Sequence, residues 1–154
     1  MLSGEHPNHA WIAANTNPDD VTGTLSDALR GADVFLGVSA PDILTEADVE
    51  SMAPDSIVFA MANPVPEIDP DIAARHAAVV ATGRSDFANQ INNVLVFPGV
   101  FRGLIDSGVS HVDIDVLLAA ADALAGVVLD GELNATYIIP SVFHPEVSTV
   151  VAEA

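Results

Sequence analysis

The sequence predicts an α/β fold, a parallel sheet covered by helices, and three observations carry that prediction. First, short apolar runs stand at VFLGV (34–38), IVFAM (57–61) and AAVVAT (77–82), and each is followed at once by a polar segment bearing Pro or Gly. Second, IVFAM, AAVVAT and a third run, VLVF (94–97), are continuous and not alternating, which is the pattern of strands buried on both faces. VLVF is thus expected as a strand that leads into a glycine-spaced helix. Third, half of the 154 residues are hydrophobic while aromatics make up only 5%, as suits an Ala/Val-rich core. A chain of this length forms one domain that buries roughly 70% of its unfolded surface.

Taken in order, the apolar cluster 10–14 predicts a short helix ended by the polar segment 15–20. Residues 22–30 place Leu25, Ala28 and Leu29 at helical spacing, and Gly31 stops that helix. The strand 34–38 then ends in the loop Ser39-Ala40-Pro41. Thr45 is the expected N-cap of a helix reaching Met52, with Asp48 in the capping-box position. Asp55 leads into the strand at Ile57, and Pro70 suits the first turn of a helix running to His76. A strand over 78–81 follows, and Pro98 begins a helix that places Gly99 and Gly103 on one face, where two backbones can approach closely. Asp113 or Asp115 opens the longest helix, to about Val128, with an Ala-rich face turned to the core.

Composition excludes several functions. Twenty-two acids stand against four arginines and no lysine, a formal net charge of −18. Such a polyanion repels nucleic-acid phosphates and anionic membranes, so neither is expected as a partner. No apolar run approaches the roughly 20 residues that cross a bilayer, and the N-terminus lacks a cationic signal start. A cytoplasmic protein is expected. The absence of cysteine excludes disulfides, thiolate metal sites and cysteine nucleophiles. The five histidines offer no metal spacing beyond a weak HxxH at His6 and His9, and are expected at the surface.

In parallel sheets ligands bind beyond the carboxyl ends of the strands, which here means the tails ANPVPE and TGRSDFANQINN. The phrases AMANPVPEI (60–68) and ATGRSD…NQINNVLVFPGVFRG (81–103) resemble the small prokaryotic type of malic enzyme, in order and spacing. The resemblance extends to GADVFLGVSAPDILT (31–45) and IIPSVFHPEV (138–147), and so to most of the chain. Asp42 departs from an expected Gly, and Phe87-Ala88 from Tyr-Pro. The resemblance implies a partial Rossmann-type doubly wound parallel sheet with flanking helices. The first strand and its GxGxxG turn, with the acidic ribose ligand that follows it by about 20 residues, are missing from these residues. It therefore implies the C-terminal portion of a NAD(P)-binding domain, with the catalytic N-terminal domain outside this chain and the edge of the Val34 strand unpaired.

The implied reaction is oxidative decarboxylation of malate to pyruvate and CO2, with NAD or NADP as hydride acceptor and a divalent Mg or Mn ion. The family's catalytic lysine and tyrosine and its carboxylate metal ligands lie upstream by this resemblance. The chain has no lysine, and its single tyrosine, Tyr137, does not match the catalytic one. The 154 residues alone are accordingly expected to be inactive, within a parent that is a homodimer.

Pro64 biases Asn63 toward extended backbone, so its amide can hold a nicotinamide ribose or a substrate carboxylate, or simply serve a turn. The resemblance implies a cofactor-binding role for Asn63 and Asn92 and a substrate-binding role for Asn93, while capping or loop tying is the plain alternative for the latter pair. Gly37, Ser39 and Ala40 are expected to pass beneath the cofactor's ribose, or to form an ordinary strand-to-helix turn. Asn89 and Gln90 are expected to tie the loop, Arg84 and Asp86 to form an ion pair, Arg102 to meet an acid elsewhere, and Glu67 to serve a loop or cap. The competing functions are another Rossmann dehydrogenase and a non-catalytic binding or assembly module.

Overall fold

The structure is a computed structural model that describes residues 7–154, so the HxxH motif falls partly on His6, outside the described residues. The first helix, α1 (Pro7–Asn15), precedes a unit in which strands and short helices alternate: α2 (Leu25–Leu29), β1 (Val34–Gly37), α3 (Glu46–Glu50), β2 (Ile57–Ala60), α4 (Pro70–Ala73) and β3 (Val79–Thr82). The remainder is helical. A 3-10 turn (Asn93–Leu95) leads into α5 (Phe97–Ser107), followed by α6 (Ile114–Ala125) and α7 (Val147–Glu153).

Local chemistry sets most of these boundaries. Thr24 and Thr45 each cap a helix through a full capping box, with Asp27 and Asp48 returning a carboxylate to the cap N–H. Asp69 accepts from the Asp71 N–H ahead of Pro70, and Asp113 accepts from the Asp115 and Val116 N–H groups. Gly108 ends α5 at φ 71°, a left-handed conformation that glycine adopts without strain. Several elements are shorter than the sequence predicts: β1 stops at Gly37, α3 at Glu50, α4 at Ala73 and α6 at Ala125. Past Ala73 the chain continues only as turns, the Ala77 N–H still bonding to the Ala73 carbonyl.

The strands form a three-stranded parallel sheet in the order β1-β2-β3, with Gly37, Ala60 and Thr82 in register at their carboxyl ends. Among the described residues β1 pairs only with β2, and its other edge carries no strand there. β1 forms the strand expected at Val34 but is covered on one face only. Phe35 and Gly37 are buried, but Val34, Leu36 and Val38 are 53%, 62% and 74% exposed. The covered face meets α2, α3 and α4 in one core of Leu29, Phe35, Leu44, Val49, Met52, Val58, Ile68 and Ala73. Among the described residues nothing comparable covers the outer face of β1. VLVF is no strand, because Asn92 accepts from the Val94 N–H and starts a 3-10 turn that runs into α5.

A second core joins Leu95, Ala120, Val147 and Val151, with Val96, Val100, Ala123, Leu124 and Val127 packed against it. The Ala-rich face of α6 thus faces the core, as predicted. Gly99 and Gly103 perform the close approach expected of them. A Cβ on Gly99 would lie 2.6 Å from Val151 Cβ, and one on Gly103 would lie 2.7 Å from the Ala152 carbonyl oxygen. Their partner, α7, is the helix for which the sequence offered no separate signal.

Candidate functional site

Parallel register dictates where the candidate residues gather. Since Gly37, Ala60 and Thr82 end their strands side by side, the three tails leave from one edge of the sheet. The Met61 N–H extends the ladder to the Gly37 carbonyl at 3.0 Å. On the other side, the Ile91 N–H donates to the Thr82 carbonyl at 2.8 Å, and Gln90 forms a parallel bridge with Thr82. The polar segment that left β3 therefore returns to the same edge. Gly37, Ser39, Ala40, Asn63, Asn92 and Asn93 all belong to segments anchored at that edge.

The side chains differ in how free they are. Asn63 is exposed at the end of the β2 tail, and its amide has no hydrogen-bond partner among the described residues. The same holds for the exposed amide of Asn93. Asn92 is half-buried, and its Oδ1 accepts from the Val94 N–H at 3.1 Å, so part of its amide serves the cap and its Nδ2 group stays available. Ser39 and Ala40 are exposed and Gly37 is buried.

Beneath these segments lies Glu67, the largest of the fully buried side chains, at 0% exposure. Its Oε1 accepts from the Ser39 N–H at 2.9 Å and the Ser39 hydroxyl at 3.2 Å, and its Oε2 accepts from the Ala62 N–H at 2.9 Å. Burial pushes the carboxyl pKa upward, but the N–H donors of Ser39 and Ala62 prevail and hold it below the ordinary glutamate value. The Glu67 main chain joins in as well, its carbonyl accepting from the Leu44 N–H at 2.9 Å. Glycine at 37 leaves room here, since a Cβ would stand 2.5 Å from the Glu67 carboxyl and 2.6 Å from the Phe35 ring, and one of them would have to shift. The expected loop role is correct in kind, but one acid holds two strand tails at once.

Asn89 does the corresponding work at β3. It is 5% exposed, at φ 54°, a left-handed conformation that asparagine tolerates better than most residues. Its Nδ2 donates to the Val80 carbonyl at 3.0 Å and the Ala135 carbonyl at 2.8 Å, and its Oδ1 accepts from the Ile138 N–H at 2.9 Å. Gln90 contributes a long contact to the Gly83 carbonyl at 3.5 Å. Both loop-tying expectations hold.

The charged residues nearby are braces. Arg84 forms a two-point pair with Asp86 and lies over the Phe87 ring, 5.0 Å from its centroid. Arg102 pairs with Asp106 one turn along α5. Glu46 on α3 takes both Arg75 and His76, joining α3 to the end of α4. No group of three or more His, Cys, Asp and Glu side chains among the described residues is placed to hold a metal ion. No helix of the described residues is long and apolar enough to cross a membrane.

Comparison with known proteins places this geometry in context. The family model described as "Malic enzyme, NAD binding domain" matches residues 8–154. The chain is 57% identical over 150 residues to an NAD-dependent malic enzyme of Geobacillus stearothermophilus, covering 97% of this chain and 31% of that protein. An NADP-dependent malic enzyme of Escherichia coli is 40% identical, over 100% of this chain and 22% of its own length. Among solved structures, the NAD-dependent malic enzyme of Thermotoga maritima superimposes with a TM-score of 0.87 at 41% identity, over 97% of this chain and 39% of that one. The chain thus spans well under half the length of these relatives.

Proposed function

The chain belongs to the malic enzyme family through its NAD-binding domain, and from that premise we propose that it forms the C-terminal portion of the NAD(P)-binding Rossmann-type domain of an enzyme that converts malate to pyruvate and CO2. The observation that carries the reading is the convergence of unpartnered amides, Asn63 and Asn93, on the carboxyl edge of a parallel sheet. Relatives named as NAD-dependent and as NADP-dependent both match, so either nucleotide fits this edge.

The residues suit a dinucleotide. Gly37, Ser39 and Ala40 present backbone at the end of β1, where a ribose can lie across it. Asn63 and the Nδ2 group of Asn92 orient the nicotinamide end, and Asn93 holds a malate carboxylate with its free amide. Bound NAD(P) supplies the hydride acceptor. Orientation is this chain's share of catalysis, because fixed amides hold malate C2 and the acceptor in one geometry and remove the entropy of finding it. The described residues do not fit a divalent cation. The metal ligands, a general base and a general acid are placed outside these 154 residues, in a cytoplasmic homodimer.

Steady-state kinetics of the native protein test the assignment. Asn93→Ala raises the malate KM about tenfold or more with the nucleotide KM little changed, and Asn63→Ala does the reverse. Equal effects of both variants on both constants would refute the division of roles. Malate-dependent NAD(P) reduction by the purified 154 residues would refute the placement of base, acid and metal elsewhere.

A further inference from the structure

We propose that Glu67 is a positioning residue for the nucleotide: its carboxylate locks the tails of β1 and β2 together and so fixes the spacing between the Ser39-Ala40 backbone and the Asn63 amide. The inference rests on the cofactor reading above and adds to it a residue that touches no cofactor.

A buried carboxylate needs either a cation or a full set of hydrogen-bond donors. With no cation against it among the described residues, Glu67 is tolerated inside the protein because three donors satisfy it, two on Oε1 and one on Oε2. The donors come from two different tails. Ser39 lies two residues past the end of β1 and Ala62 two past the end of β2, and both strands end in register at Gly37 and Ala60. Beyond that register no strand ladder holds the tails except the Met61 N–H to the Gly37 carbonyl. The acid therefore replaces the ladder where the ladder stops. Asn63 directly follows Ala62, and Ala40 directly follows Ser39, so each candidate contact is one residue from an N–H that Glu67 holds.

The local sequence is shaped around this acid. Gly37 leaves the space that the carboxyl fills, since a Cβ there would stand 2.5 Å from both Glu67 Cδ and Oε1. The main chain of the same turn is also tied, the Asp42 N–H to the Pro66 carbonyl at 3.1 Å and the Leu44 N–H to the Glu67 carbonyl at 2.9 Å. A capping or solubilising glutamate would require neither the cavity nor the second tail.

Glutamine is the informative replacement, being the same size but bringing an NH2 group against an N–H. In the native protein, Glu67→Gln is expected to weaken NAD or NADP binding, measured by calorimetric titration, by about tenfold or more. At saturating nucleotide, the malate KM stays within about twofold of wild type and kcat within about threefold, a split that general damage to the fold would not give. Glu67→Asp, which keeps the charge but withdraws it by one methylene, provides the same test should the glutamine variant fail to fold. If wild type binds nucleotide and these variants bind it equally well, or if malate KM rises and kcat falls in step with the lost nucleotide affinity, the positioning role is refuted. Failure of wild type itself to bind nucleotide would instead overturn the cofactor reading.

Discussion

The tails of β1 and β2 are tied by an acid, and the tail of β3 is tied by an amide; the difference follows from what each has to hold. Glu67 faces donors only, the N–H groups of Ser39 and Ala62 and the Ser39 hydroxyl, so an acceptor-only side chain satisfies all of them. Asn89 faces two carbonyls and one N–H, from Val80, Ala135 and Ile138, so it must both donate and accept. The first knot is local, joining residues 28 positions apart or fewer, whereas the second reaches 49 positions along the chain to the segment before α7. One knot sets the spacing of two adjacent tails. The other holds the helical half of the molecule against the sheet half.

The sharpest way to break the comparison is to give each knot the other's chemistry. Asn89→Asp removes both donors and sets a buried negative charge against two carbonyls, and it is expected to destabilise the fold by about 3 kcal/mol or more in urea unfolding. Glu67→Gln is expected to cost about 2 kcal/mol at neutral pH, since one acceptor survives. Its pH dependence sharpens the contrast. The folded pKa of Glu67 lies below its unfolded value, so its stabilisation is present above the ordinary value of 4.5 and is lost as pH falls through the depressed folded pKa. Wild type should therefore lose more stability than Glu67→Gln on acidification below that value, as read from urea midpoints across the pH range.

A third change probes the helical half alone. Gly103→Val drives a branched side chain into the Ala152 carbonyl and should destabilise by about 1–3 kcal/mol, while nucleotide affinity of the surviving folded protein stays within about twofold. The smallest effect concerns Asp42, which adopts φ 56° in the turn between β1 and α3. Asp42→Gly relieves that conformation and should raise stability by about 1 kcal/mol or less, measurable as a small upward shift in Tm.

Legibility in the sequence followed locality. The Thr45 cap, the strand-then-polar-tail pattern and the paired glycines of α5 are written within a few residues, and the structure has them. Asp42 also becomes intelligible: the position where the family resemblance expects glycine is one of positive φ. The open face of β1 was not legible, because a run such as VFLGV has the same composition whether or not a second layer covers Val34 and Leu36. VLVF misled for a related reason, since its fate was decided by the Asn92 cap and by packing of Leu95 into the second core. α7 and the reach of Asn89 to Ile138 depend on contacts distant in sequence, which periodicity does not record. The sequence located the tails that leave the carboxyl edge of the sheet. It recognised Glu67 as a loop residue, but burial and the presence of two tails around one carboxylate exist only in three dimensions.

The carboxyl edge of β1, β2 and β3 is the proposed seat of a nicotinamide dinucleotide. Amide hydrogen exchange of the native protein with and without saturating NAD or NADP tests this most directly. Protection concentrated in segments 37–40, 61–67 and 89–93 is the predicted result. Protection confined to other segments, or none at saturation, would contradict it.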